Sequence, residues 1–171
     1  MKQILNYING AYVASQRQFE KRSPQTNEVI AQVHEASFED VDLAVKSAQA
    51  ALNGPWGQMT VAERVEKLHA VADGINRRFD EFLEAECADT GKPASLAKHI
   101  DIPRGAANFK VFADVVKNVA TEFFEMATPD GRGAINYGYR SPVGVIGVIC
   151  PWNLPLLLYS LQNKNFYISI I

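Results

Sequence analysis

The sequence predicts an α/β fold with an incomplete sheet, and three observations carry that expectation. An Asn-Gly pair near the start sits between apolar and aromatic residues. The middle of the chain repeats apolar residues at spacings of three and four, and after residue 133 the pattern changes to alternation and then to a continuous apolar run. The order is therefore hairpin, helices, then strands, with no internal repeat and no low-complexity linker.

Taken in order, Tyr7-Ile8 and Tyr12-Val13 flank Asn9-Gly10, a pair that tolerates the positive φ of a tight turn, so the chain opens with a β-hairpin. Val29 to Val33 is a second extended segment, following the turn-prone stretch Ser23 to Asn27. Ser37 suits the N-cap of a helix whose Val41, Ala44, Val45, Ala48, Ala51 and Leu52 share one face, expected to be buried, before Asn53-Gly54-Pro55 ends it. Thr60 with Glu63 forms a capping box, and Val65, Leu68, Ala72, Ile75 and Phe79 continue the stripe toward a further helix around 82–89, with Gly91 where a C-terminal cap belongs. From Ala106 to Phe124 there is no Gly or Pro, and Phe109, Phe112, Val116, Val119 and Phe123 fall at helical spacing, which predicts one long helix with a core stripe. Beyond the turn Thr128 to Gly131, Ala134 to Arg140 reads as a half-exposed strand and Val143 to Ile149 as a buried one.

Composition narrows the function. Hydrophobic residues make up 47% and charged residues 21% of the 171, the balance of a chain that folds around a core. Acidic and basic residues nearly cancel and lie scattered, leaving no basic stripe for phosphates, so nucleic acid is excluded as an expected partner. The apolar stretch from Val143 to Leu161 is interrupted by Pro151, Asn153 and Pro155, which argues for strand plus turn over a membrane span. With two cysteines in no metal or CxxC spacing and no signal-peptide pattern at the start, the expected setting is cytoplasmic and the expected metal complement is none.

The segment Ser141 to Pro155 contains a strand-like run ending in Pro151-Trp152-Asn153-Leu154-Pro155, and Asp89-Thr90-Gly91-Lys92-Pro93 precedes it at a fitting distance. Together these two motifs resemble the aldehyde dehydrogenase family, and the resemblance runs from about Lys2 to Leu158. It implies the N-terminal portion of that family's fold: residues 1–158 as part of the cofactor-binding domain, with an oligomerisation-type strand at about 134–140, and residues 159–171 as a tail outside the family pattern. It also implies NAD as cofactor, an aldehyde as substrate, and homo- or hetero-oligomers through the 134–140 strand. On its residue type alone Asn153 satisfies its own turn. By the resemblance its side-chain amide donates to the oxyanion formed when a thiolate attacks the aldehyde, a role worth roughly 2.7 to 4 kcal/mol in the transition state. Ile149, Pro151 and Trp152 are, by the same match, the lining of the nicotinamide end of the cofactor cleft, with Asn153 beside them.

Two further runs, His99 to Phe109 and Glu125 to Gly131, resemble the 2-hydroxymuconic and 2-aminomuconic semialdehyde dehydrogenases, a branch of the same family. In that branch the arginine matching Arg104 grips a substrate carboxylate, which suits a guanidinium able to form two parallel hydrogen bonds. An arginine in a first helical turn otherwise makes a surface ion pair contributing at most about 1 kcal/mol.

The remaining candidates carry less. Cys150 adjoins the asparagine but does not match the family's nucleophile and reads as a small buried strand-end thiol, as Cys87 reads as a helix core residue. His34, His69 and His99 show no ligand spacing and no acid–base partner, and Gly131-Arg132-Gly133 with Gly138 misplaces the third glycine of a dinucleotide fingerprint. Past Leu158 the family's Trp-Lys helix, Lys-Pro-Ser-Glu cofactor motif, glutamate base and catalytic cysteine do not follow. The Asn-, Lys- and Ile-rich ending fits translation out of frame or into inserted DNA, so the chain is expected to be inactive by itself, with NAD binding doubtful and a non-catalytic assembly role as the alternative.

Overall fold

The opening pair of strands exists because two adjacent residues accept positive φ. In the computed structural model, which describes residues 1–162, strand β2 (Asn6–Ile8) pairs antiparallel with β3 (Ala11–Val13) across Asn9 at φ 51° and Gly10 at φ 80°. A separate three-stranded sheet has the order β1 (Lys2–Ile4), β5 (Val29–His34), β4 (Gln18–Arg22); β1 runs parallel to β5, and β4 antiparallel. The turn joining β4 to β5 is held by Ser23 Oγ, which accepts from the amides of Gln25 and Thr26.

Helix α1 (Phe38–Asn53) begins at Ser37, whose hydroxyl accepts from the Asp40 amide while the Asp40 carboxylate accepts from the Ser37 amide. Contrary to expectation, none of its residues is buried, and Phe38 is 93% exposed. Apolar spacing fixes which residues share a face, but α1 has only β2 and the short α2 (Pro55–Gln58) as its main neighbours, so nothing described covers that face.

The core lies between α3 (Val61–Arg77), α4 (Phe79–Thr90) and α6 (Ile102–Asn118). Val65, Leu68, Ala72 and Ile75 of α3 interlock with Ile102, Ala106, Phe109 and Ala113 of α6, and Phe79, Phe82 and Leu83 pack against the cluster. The capping box of Thr60 and Glu63 opens α3. Gly91 ends α4 in the left-handed conformation at φ 72°, with its amide donating to the Cys87 carbonyl. There the β4–β5 turn docks: Gln25 Nε2 donates to the Gly91 carbonyl at 2.8 Å, and Lys21 pairs with Asp89 at 2.7 Å. A short α5 (Ala94–Leu96) and a π-helical turn (Ala97–Asp101) lead into α6.

The expected single helix from Ala106 to Phe124 is instead α6 ending at Asn118, with Phe123 on a strand. Phe109, Ala113 and Val116 are buried, but beyond Val116 no core continues on this helix among the described residues, so packing no longer supports further turns. Strand β6 (Phe123–Met126) pairs antiparallel with β7 (Ala134–Tyr137) around a turn in which Gly131 and Gly133 take positive φ. The strand expected to reach Arg140 stops at Tyr137, and the expected buried strand Val143 to Ile149 is irregular and largely exposed, with Val143 75% and Ile149 95% accessible. A strand needs a ladder neighbour, and among the described residues none lies beside this run. Helix α7 (Pro155–Gln162) then packs on α6. The α/β class with partial sheets holds, while most of the tail expected at residues 159–171 falls outside the described residues.

Candidate functional site

Two helices fix the end of the molecule where the expected site residues emerge. Gly105 of α6 lies so close to α7 that a Cβ there would come within 2.7 Å of Leu156 Cγ, and three residues on Asn108 Nδ2 donates to Ser160 Oγ at 2.9 Å. Contacts at 105 with 156 and 108 with 160 mean that α6 and α7 run parallel, with the 102–105 turn of α6 beside the start of α7. Arg104, in the first turn of α6, and Asn153, just before Pro155 opens α7, therefore emerge at the same end. Arg104 is exposed and, among the described residues, makes no ion pair, so the surface pairing that residue type suggests is not formed.

Asn153 itself sits in a turn on the surface, its residue exposed but its main chain held. Lys92 Nζ donates to the Asn153 carbonyl at 3.1 Å, to Glu86 Oε1 at 3.2 Å and to Asp101 Oδ2 at 2.5 Å. Both carboxylate residues are buried, at 5% and 1% exposure. Burial alone would lower the Lys92 pKa, but the hydrogen bonds and charges of Asp101 and Glu86 outweigh it and hold the ammonium above its ordinary value. The sequence carries one sign of this cluster: Glu86 continues the spacing Phe79, Phe82, Leu83 on α4, which puts a carboxylate on a buried face where it needs a cation. Asp101 gave no such sign, because the π-helical turn shifts the helical register there.

Between α4 and the turn lies a cleft of about 500 Å³, walled by Phe82 and Ala85 on one side and by Cys150, Pro151, Trp152 and Leu156 on the other. Pro151 and Trp152 face this cleft while keeping much of their surface open, Trp152 being 80% exposed, whereas Ile149 projects outside it. Pro151 and Trp152 form an apolar, open rim on this cleft. Gly131-Arg132-Gly133 belongs to the β6–β7 hairpin turn, not to a strand-to-helix turn. Cys150 is half-buried on the cleft wall and lies on no strand, because the strand expected to carry it does not form; Cys87 is likewise half-buried on α4.

His69, read as lacking an acid–base partner, has one: its Nε2 lies 3.0 Å from Asp114 Oδ1, a pair joining α3 to α6 that spacing along either helix does not reveal. His34 is buried and bonds Ser15 and Gln3, a structural role. Among the described residues no cluster of three or more His, Cys, Asp or Glu could hold a metal, and no helix is long and apolar enough to cross a membrane.

With this geometry in view, comparison with known proteins is direct. The sequence profile of the aldehyde dehydrogenase family matches residues 12–163. The chain is 71% identical over 160 residues to the 2-hydroxymuconic semialdehyde dehydrogenase of Pseudomonas sp. (strain CF600) and 49% identical over 158 residues to a 2-aminomuconic 6-semialdehyde dehydrogenase of Pseudomonas sp.. Each alignment takes in 92% of this chain, but the chain spans only about a third of either relative's length, 33% and 32%. The NAD+ complex of aldehyde dehydrogenase from Bacillus cereus superposes with a TM-score of 0.87 at 34% identity, over 99% of this chain and 34% of that one. By profile, sequence and fold, the chain belongs to the aldehyde dehydrogenase family.

Proposed function

We propose that this chain supplies the oxyanion-stabilising turn and the carboxylate-recognising arginine of an NAD-dependent dehydrogenase for muconic-type semialdehydes in aromatic ring-cleavage catabolism. The observation that carries the reading is the state of Asn153: its main-chain carbonyl is pinned to Lys92 while the residue stays exposed just before the start of α7, at the end where Arg104 also emerges. An amide on a fixed backbone, just before the positive end of the α7 dipole, suits an oxygen that gains negative charge. Arg104, exposed and without an ion pair among the described residues, suits the remote carboxylate of a muconic semialdehyde. NAD, when bound, supplies the hydride acceptor; Pro151 and Trp152, on the cleft rim, would hold its nicotinamide end, with Ile149 adjoining in sequence but outside the cleft. Residues 1–158 then form part of the cofactor-binding domain.

The reaction also needs a thiolate to attack the aldehyde and a base to activate water. Cys150 and Cys87 are half-buried, and neither is read as that nucleophile. The 171 residues by themselves are therefore expected to produce no NADH from any semialdehyde. The test joins residues 1–158 to the remaining two thirds of the Pseudomonas strain CF600 enzyme and follows NADH with 2-hydroxymuconic semialdehyde. Asn153→Ala should lower kcat by about a hundred- to a thousandfold, the loss typical of a removed oxyanion donor. A folded, active hybrid whose kcat ignores Asn153→Ala would rule the reading out.

A second reading rests on the β6–β7 hairpin, where Phe123, Phe124, Ile135 and Tyr137 are all exposed. Such a hairpin offers an open edge for pairing, so the chain could serve as a non-catalytic assembly partner of full-length subunits. Co-purification with an intact homologue would support this, and a chain that elutes alone beside that homologue would remove it.

A further inference from the structure

We propose that Lys92 is a positioning residue for Asn153, tying the turn that carries the asparagine to a buried acidic anchor made of Glu86 and Asp101. The proposal rests on the reading of Asn153 as the oxyanion donor but concerns a different residue and a different property. An ammonium has three N–H donors, and here each has a distinct acceptor: a carboxylate on α4, a carboxylate from the π-helical turn before α6, and the Asn153 carbonyl. With all three satisfied, the ammonium cannot swing without breaking a bond. The two carboxylates belong to elements packed into the main core, so the turn is referred to the rigid part of the molecule.

The charge balance gives the anchor its direction. One cation faces two buried acidic residues, so the ammonium is held inward and the neutral carbonyl is drawn to it. Without Lys92, the turn before α7 would lose its hydrogen bond to the acidic anchor and keep, among the described residues, the Leu158 amide to Leu154 carbonyl bond, the packing of Leu156 on Gly105 and the cleft wall against α4. The sequence separation of 61 residues between Lys92 and Asn153 explains why neither motif alone hints at the link.

Hydrogen exchange on the intact chain tests this without any catalytic assay. In Lys92→Met, the amides of Trp152, Asn153 and Leu154 should exchange at least about tenfold faster, while those of α3 and α6 keep their protection. The Asn153 side-chain amide resonances, expected to stand apart in the wild type, should collapse toward the position of an unstructured asparagine. Because Lys92→Met strands two carboxylates and could unfold the chain, the same measurements are made on Lys92→Met with Glu86→Gln and Asp101→Asn, where no uncompensated charge remains. Faster exchange confined to 152–154 in that variant upholds the proposal. Unchanged exchange and unchanged Asn153 resonances in it would overturn it. Failure of the oxyanion reading shows instead as an Asn153→Ala hybrid with undiminished kcat, which leaves the exchange result untouched.

Discussion

Two apolar stretches of this chain end up in opposite environments. The stripe Val65, Leu68, Ala72, Ile75 meets the matching stripe of α6 and disappears from solvent, whereas Val143 to Ile149 stays irregular and open. A helix completes its own backbone hydrogen bonds and needs only one apolar face covered, a condition the next helices fulfil within about fifty residues of sequence. A buried strand needs neighbours on both edges and cover on both faces, and the described residues provide neither. Apolarity states what a segment would gain from burial; the chain within reach decides whether it is buried.

The sharpest way to break that contrast is a pair of truncations. Phe109→Ala should cost about 3–5 kcal/mol in urea unfolding because it empties the centre of the core. Ile149→Ala should stay within about 0.5 kcal/mol. Equal losses would mean that the 143–149 run is packed after all. A smaller effect tests the α6–α7 joint: Gly105→Ala forces a methyl to within 2.7 Å of Leu156 Cγ and should cost about 1–3 kcal/mol, visible as a lowered Tm.

Two pH experiments sharpen the comparison further. Lys92 is held above its ordinary 10.5 by Asp101 and Glu86 against the effect of burial. Its contribution is therefore complete below pH 10.5 and fades as pH rises through the higher folded value. The wild type should lose stability more steeply than Lys92→Met across that alkaline range, and parallel curves would mean the ammonium is not coupled to folding. At the other extreme, the backbone and side-chain hydrogen bonds of Thr60 lower the Glu63 pKa below its usual 4.5. The cap should hold above pH 4.5 and weaken as pH falls through the lowered value, a small effect that Thr60→Ala removes.

What could be read from the sequence follows the range of the interaction. The Asn9-Gly10 turn, the Ser37 N-cap, the Thr60–Glu63 capping box and the Gly91 cap depend on residues within five positions and are legible as chemistry. The α3 stripe was legible because its partner exists. The end of α6 at Asn118 was not, since Val119 and Phe123 keep the right spacing and lack only a core to meet. Strand β4, Gln18-Phe19-Glu20-Lys21-Arg22, has too many charges to signal a strand and is recruited by pairing with β5. At the site, Asn153 and Arg104 stood out through family motifs, whereas the Lys92 cluster joins segments up to 61 residues apart and is a product of the fold.

The docking of the β4–β5 turn on the end of α4 bears on the order in which the molecule assembles. The turn's own bonds, around Ser23, close over three residues, but Gln25 reaches Gly91 only by closing a loop of 66 residues, and Lys21 reaches Asp89 across 68. Loop-closure entropy must be met before such contacts repay it, so the helical core should form first and the N-terminal sheet should join it late. A contact absent from the folding transition state leaves the folding rate alone and governs how fast the native state comes apart. Gly91, which has Pro24 against it and no room for a side chain, is thus a latch whose loosening shortens the lifetime of the folded chain without slowing its formation.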